Sequence, residues 1–344
     1  MLFTLCLFIG LFGSLVIVHE LGHFLVAKLF KIKINEFSVG FGSLIAKRQD
    51  KSGVQWSVRS MPFGGYVAFD DEGTHTLEKA PLFQKICVCF AGPCANLVLA
   101  FVISFFVVLF NGYQAPSGNI IGATHIAQMK KGDKIISINN NTIQNWRDVE
   151  INLLGKKKAN VTILRDNNQH QVTIESLKGK IIKHNIFKKI LNYIKPQSTE
   201  HECEWGFDPV LAKKQTLNIT QSLKTAGVIV AAYVKEFFIM LKIIANQGLQ
   251  MLSGPVGIAK TLGKAYSRNL EALLWLTVRL SVSLAMFNLL PLPGLDGGQI
   301  LLALIRKLTR NKLGERFIKI WHYSAFILLI GLTFYTTILD LFKS

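Results

Sequence analysis

Hydrophobic residues in this chain are gathered into blocks, with alternating polar and apolar sequence between them. The first eighteen residues, MLFTLCLFIGLFGSLVIV, carry no charge, and residues 86–110, ICVCFAGPCANLVLAFVISFFVVLF, form a second uncharged block. As a helix that second block is about 37 Å long at 1.5 Å per residue, enough to cross an apolar layer about 30 Å thick. Residues 273–292, interrupted by Arg279 and Asn288, and 320–339, opening on the interfacial Trp321, His322 and Tyr323, predict two further spans. The opening block has neither the basic start nor the small-residue cleavage site of a secretory signal. It runs on as a helix through HELGH to Lys28 and reads as retained. The expected class is therefore a polytopic α-helical membrane protein with about four transmembrane helices.

Between the first two blocks, INEFSVGFGSLIAKRQDKSGVQWSVRSMPFGGYVAFD alternates apolar and polar residues and is punctuated by Gly40, Gly42, Gly53, Gly64 and Gly65. This is the pattern of short strands and tight turns, a β-hairpin region against the membrane. After the second block, KKGDKIISINNNTIQNWRDVEINL, NVTILRD and HQVTIE read strand, turn, strand, helix, strand, hairpin, strand. That order, and GDKIISINN above all, resembles a PDZ domain of the bacterial membrane-protease type, a fold that binds extended peptides along a sheet edge. Residues 179–197 place Ile182, Ile186, Ile190 and Ile194 at four-residue spacing among lysines, a basic amphipathic helix suited to a membrane surface or to a neighbouring domain. Residues 217–252 are apolar enough for an extra span, but Lys235, Glu236 and Lys242 would fall near its middle, so an amphipathic surface helix is expected.

Composition sharpens the class. Half of the 344 residues are hydrophobic, and the formal net charge is +18. The basic residues are scattered through the loops rather than interleaved with aromatics on one face. Anionic lipid headgroups explain them better than nucleic acid, and no nucleic-acid partner is expected. The segment 28–85 carries nine Lys and Arg, and 306–319 carries six, which places both on the cytoplasmic side with both termini outside. The five cysteines, Cys6, Cys87, Cys89, Cys94 and Cys203, give neither a disulfide framework nor a cysteine zinc spacing.

The chemistry begins at HELGH, residues 19–23, where three ionisable groups end an apolar helix. Positions i and i+4 share a helix face, so His19 and His23 can bring two imidazole nitrogens to about 2.0–2.1 Å from one zinc ion. Glu20, beside the first ligand, is placed to act as the base on water. A catalytic zinc site needs a third protein ligand. The best candidate is Asp296 in NLLPLPGLDGG, where Pro291, Pro293, Gly294, Gly297 and Gly298 unwind the backbone at the end of the third span. Irregular backbone at that depth is tolerable only beside protein or a water-filled cavity.

HELGH in the first span, AGPCAN (91–96) in the second, the PDZ-like insert, LSGPVGIAK (252–260) and NLLPLPGLDGG together resemble the bacterial site-2 protease family, of the regulator-of-sigma-E type. The resemblance implies that His19, His23 and Asp296 bind Zn²⁺, that Glu20 is the catalytic base, and that Asn288 helps hold or polarise the substrate backbone. It implies that the turn from Gly40 to Gly42, with PFGGYV, belongs to a re-entrant β-region that pairs with an unwound substrate helix. It further implies a bacterial inner-membrane enzyme, with its active site near the cytoplasmic side. Its partners would be single-span membrane proteins or peptides already shortened outside, such as an anti-sigma factor or a signal-peptide remnant. The type carries two tandem PDZ domains; this chain has room for one.

The expected organisation is a first span with HELGH (1–30), the β region (31–85), a second span (86–110), the PDZ-like domain (112–178) and a linker with amphipathic helices (179–268). A third span (270–296), a cytoplasmic loop (297–319) and a fourth span (320–341) follow. Two other classes compete with a protease. A catalytically silent scaffold that binds transmembrane peptides is disfavoured by the intact His, Glu, His and Asp set. A transporter built on broken helices would show inverted repeats between the halves, and none is evident.

Overall fold

A computed structural model describes residues 2–70, 75–113, 116–124, 126–153, 156, 158–175, 207–211, 215–247, 254–310 and 314–342. The basic amphipathic helix expected at 179–197 lies outside the described residues. The chain divides into two compact units, 1–107 with 222–344, and 108–221.

In the first unit, helix α1 (Leu2–Leu29) leads into strands β1 (Ile34–Gln49) and β2 (Gln55–Phe69), then helix α2 (Leu82–Asn111). After the insertion come α4 (Ile219–Gln247), α5 (Pro255–Arg268), α6 (Leu270–Asn288), α7 (Asp296–Leu308) and α8 (Glu315–Phe342). Among the described residues, three helical stretches are long and apolar enough to cross a membrane: Cys6–Leu29, Leu82–Asn111 and Leu270–Asn288. Helix α8 occupies the place of the fourth expected span.

Two expectations about the third span change. Its helix stops at Asn288, and residues 297–319, expected as a loop, contain most of α7. The Pro and Gly residues of 291–294 end one helix as foreseen. Asp296 starts the next, a position where the helix dipole favours a carboxylate.

Strands β1 and β2 are longer than the expected short strands, but each is bent into two. Residues 36–39 pair with 55–58 on one side and with 65–68 on the other, while 46–49 pair with the outer edge of 55–58. The pairing is that of four short segments in the order 46–49, 55–58, 36–39, 65–68. The bends coincide with left-handed glycines, Gly40 (φ +89°) and Gly42 (φ +85°) in β1 and Gly64 (φ +103°) in β2, conformations open to glycine at little cost. Glu36, on the central segment, accepts from Arg59 at 2.8 Å, from the Tyr66 hydroxyl at 3.0 Å and from Ser57, reaching both neighbouring segments. Burial pushes its carboxyl up, but these donors more than offset it and hold the group below its ordinary range. Phe24, Phe37 and Trp56 pack their rings together beneath the sheet, the first two 5.5 Å apart.

The second unit is α+β. Strands β3 (Pro116–Thr124), β4 (Lys134–Ile138), β6 (Lys158–Arg165), β7 (Asn168–Glu175) and β8 (Phe207–Leu211) form an antiparallel sheet in the order β7-β6-β4-β3-β8, with β5 (Asn141–Thr142) beside β4. Helix α3 (Trp146–Leu153) covers the core of Ile121, Ile135, Ile138, Val161 and Ile163. The hairpin turns carry positive φ at Asn139 and Asn140, and at Asp166 and Asn167, residue types that tolerate this conformation in two-residue loops. From 130 to 175 the strand and helix order is the one read from the sequence, but strand β3 before it was not read, and the unit does not end at 178. Strand β8 pairs with β3, Thr124 opposite Phe207, and Phe207 packs edge-on against Trp146, with ring centroids 5.8 Å apart.

Candidate metal centre

Helix α1 turns His19 and His23 inward from one face, 6% and 8% exposed, while Leu21 and Leu25 on the opposite side are exposed. The two Nε2 atoms stand 3.2 Å apart. Asp296, the first residue of α7, brings Oδ2 to 3.0 Å from His19 Nε2 and Oδ1 to 3.4 Å from His23 Nε2. Ligands arranged tetrahedrally at about 2.0–2.1 Å from one ion lie about 3.3–3.4 Å from each other, so this spacing fits such an ion. The chemistry fits as well. Asp296 Oδ2 is buried without a hydrogen-bond partner among the described residues, facing imidazole nitrogens that can offer lone pairs. Two imidazoles and a carboxylate, with a fourth direction left for water, form the donor set of a catalytic rather than a structural zinc site.

The backbone behind Asp296 is tight. A Cβ on Gly297 would lie 2.2 Å from the Leu289 carbonyl oxygen, and one on Gly298 would lie 1.9 Å from that of Leu292. Gly294 adopts φ +83° in the same turn. Only glycine after Asp296 lets the 289–295 loop fold onto the start of α7 and carry the carboxylate to α1.

Helix α2 closes the other side with residues one helical turn apart. The Val88 carbonyl accepts from His23 Nδ1 at 2.7 Å. Gly92 lies beneath both imidazoles, where a Cβ would be 2.3 Å from His23 Nε2. The Asn96 side chain stands 3.3 Å from His19 Nδ1. These contacts were not anticipated. The i, i+4, i+8 spacing of Val88, Gly92 and Asn96 marks one helix face, but nothing in the sequence says that this face meets HELGH.

Glu20 is half-buried beside this cluster, with its carboxylate taking a hydrogen bond from the Val67 backbone N–H of β2. A Cβ on the neighbouring Gly65 would lie 3.8 Å from Glu20 Cγ. The structure thus gathers His19, Glu20, His23 and Asp296. It leaves Gly40 and Gly42 in the bend of β1, against Met61, Arg59 and Ser60. Asn288 ends α6, and its Nδ2 donates back to the Leu284 carbonyl at 3.1 Å.

Comparison with known proteins independently points to zinc and to proteolysis. The family model of peptidase family M50 matches residues 7–332. Bacterial proteins provisionally named as zinc metalloproteases align over nearly the whole chain. One from Clostridium perfringens is 31% identical over 96% of this chain and 96% of its own length. One from Fusobacterium nucleatum is 30% identical over 99% of each, and one from Clostridium acetobutylicum is 29% identical over 98% and 97%. The apolar helices and the match together make this chain a membrane protein and a zinc metalloprotease, a member of peptidase family M50 of the site-2 type.

Proposed function

We propose that the chain is an intramembrane endopeptidase that hydrolyses a peptide bond within the span of a single-span membrane protein already shortened outside. An anti-sigma factor or a signal-peptide remnant is the kind of substrate intended. The observation that supports this most directly is the address of the metal-capable trio. His19 and His23 face inward from a span whose outer face carries exposed Leu21, Leu25 and Leu29, beside α2, which exposes Phe90, Val98, Val102 and Phe106. Exposed apolar surface of this extent on both helices suits lipid, so the site lies among membrane-spanning segments and its substrate with it.

In this reading His19, His23 and Asp296 hold zinc. Bound there, zinc supplies Lewis acidity that makes water nucleophilic near neutral pH and polarises the scissile carbonyl. Glu20 takes the proton of the attacking water and returns it to the amide nitrogen as the C–N bond breaks. A helical peptide bond is shielded and must be extended before water can reach it. The 65–68 segment of β2, hydrogen-bonded to Glu20 through Val67 and open on its other edge among the described residues, offers a strand with which an extended substrate can pair. Gly40 and Gly42 shape the sheet that carries this edge, and Asn288 is assigned to the substrate backbone. The 108–221 unit is assigned as one PDZ-like domain on the periplasmic side. The membrane is the bacterial inner membrane, with both termini periplasmic and anionic lipid against the basic loops.

The ligand assignment is tested by zinc per chain in the purified protein, on His19→Ala, His23→Ala and Asp296→Ala. Each should lose most of the metal held by wild type. Unchanged stoichiometry in any one of them would remove that residue from the set.

A further inference from the structure

The proposed chemistry makes no use of Asn96, yet this residue is buried to 0% exposure in the middle of α2. Its backbone carbonyl accepts from Ser281 Oγ at 2.7 Å, tying α6 to α2 at this point. Its side-chain amide meets His19 Nδ1 at 3.3 Å, while its other amide atom has no hydrogen-bond partner among the described residues. A half-satisfied amide in a buried position works against folding, so packing does not account for it. Among the described residues, its one polar side-chain contact is the remote nitrogen of an imidazole whose near nitrogen points at Asp296 and His23.

The two histidines make parallel demands. An imidazole that offers the lone pair of Nε2 carries its proton on Nδ1 and needs an acceptor there. For His23 the acceptor is the Val88 carbonyl. For His19 the group in place is the Asn96 amide, whose oxygen and nitrogen exchange positions by a half-turn of the side chain. We infer that Asn96 is a positioning residue for the metal site: its side-chain oxygen accepts the His19 Nδ1–H, fixing the tautomer and ring orientation that aim Nε2 at zinc. The inference rests on the reading of His19 as a ligand. The Ser281 hydroxyl holds the Asn96 backbone, so the acceptor sits on a point shared by two helices.

The test is zinc affinity, measured by chelator competition on the full chain in detergent, with cobalt absorption as a second readout. Asn96→Ala should weaken zinc binding about 10- to 100-fold, the usual effect of removing an outer-shell partner, and should alter the cobalt spectrum. Asn96→Asp, which keeps an oxygen acceptor, should stay within a few-fold of wild type. Ser104→Ala removes a different buried polar group of α2, a hydroxyl two turns from Asn96, and should leave affinity unchanged. Asn96→Ala at wild-type affinity, or Asn96→Asp as weak as Asn96→Ala, would overturn the inference. Should Asn96→Ala fail to fold, nitrogen NMR of labelled histidine in the zinc-loaded wild type decides. A protonated Nδ1 on His19 supports the inference, and an unprotonated one refutes it. His19→Ala separates the two claims. If it binds zinc as wild type does, the ligand reading fails; if it loses zinc while Asn96→Ala does not, only the role of Asn96 fails.

Discussion

Gly22 of α1 lies so close to Ala91 of α2 that a Cβ at Gly22 would stand 2.3 Å from the Ala91 carbonyl oxygen and 2.8 Å from the Ala95 methyl. That approach sets the distance between the helix carrying both imidazoles and the helix carrying their outer partners, Val88 and Asn96. Gly22→Ala should therefore force α1 and α2 apart. The expected cost is about 1–3 kcal/mol of stability, typical of overpacking, together with weaker zinc retention. Thermal unfolding and zinc per chain measure both. A variant with wild-type melting and full zinc would show that this contact does not set the site.

The turn before Asp296 is equally confined. Gly297→Ala or Gly298→Ala cannot fit without moving the 289–292 backbone, because the added carbon would meet carbonyl oxygens well inside contact distance. Displacing the Asp296 carboxylate by even about 1 Å should lower peptide cleavage on the order of 100-fold. Initial rates on a fixed transmembrane peptide, with zinc content measured alongside, check this.

Much of the site was legible because its chemistry is unusual for its surroundings. Two histidines and a glutamate at the end of an apolar helix, and an aspartate among prolines and glycines at the end of another, have few explanations in a membrane. The rest depended on helix contacts that leave no periodic mark. Val88 contributes only a backbone carbonyl, which every residue possesses. Gly92 matters through the absence of a side chain. The doubled pairing of 36–39 was hidden because alternation is the same whether a strand has one partner or two. Helix α7 went unread because the glycines after Asp296 look like loop, although they admit a helix start packed against the preceding turn. Strand β8 follows a long segment without strand pattern and is short, so its return to the sheet could not be seen locally.

Arg279 shows how a misplaced charge in a span acquires its partner. It interrupts an apolar run, is 5% exposed, and pairs with Glu236 of α4, with Tyr233 of the same helix under its guanidinium at 5.4 Å. Phe237, next in sequence, packs edge-on against Phe287 at 4.9 Å. Glu236→Ala should leave a buried unpaired guanidinium and cost about 3 kcal/mol, whereas Glu236→Leu with Arg279→Leu should regain most of it. Unfolding of the single and double variants in one detergent compares them. A double variant no better than the single would show that the pair itself is not what matters.

In the second unit the bidentate pair of Asp133 with Arg165, at 2.7 and 2.8 Å, is reinforced by the Lys130 N–H at 2.7 Å. Burial raises the Asp133 carboxyl, but these donors outweigh it and hold the group below its usual range. A carboxyl lowered in the folded state contributes stability that is fully present above its unfolded value, about 3.9, and is lost as pH falls through the folded value. Acid should therefore loosen this unit below about pH 4. Asp133→Asn should flatten that acid dependence while lowering stability at neutral pH by about 2 kcal/mol. Hydrogen exchange of β4 and β6 against pH reads the effect. An unchanged acid limb in the variant would count against it.

The central claim is hydrolysis inside a membrane span with Glu20 as the base. Its most direct measurement is cleavage of a single-span substrate by purified protein in liposomes, with the cut located by mass spectrometry and zinc measured in wild type and Glu20→Gln. Wild type should cut within the apolar segment, and Glu20→Gln should hold comparable zinc while losing at least about 1,000-fold in rate. A Glu20→Gln protein that cuts as fast as wild type, or a wild type that cuts only outside the apolar segment, would contradict the account.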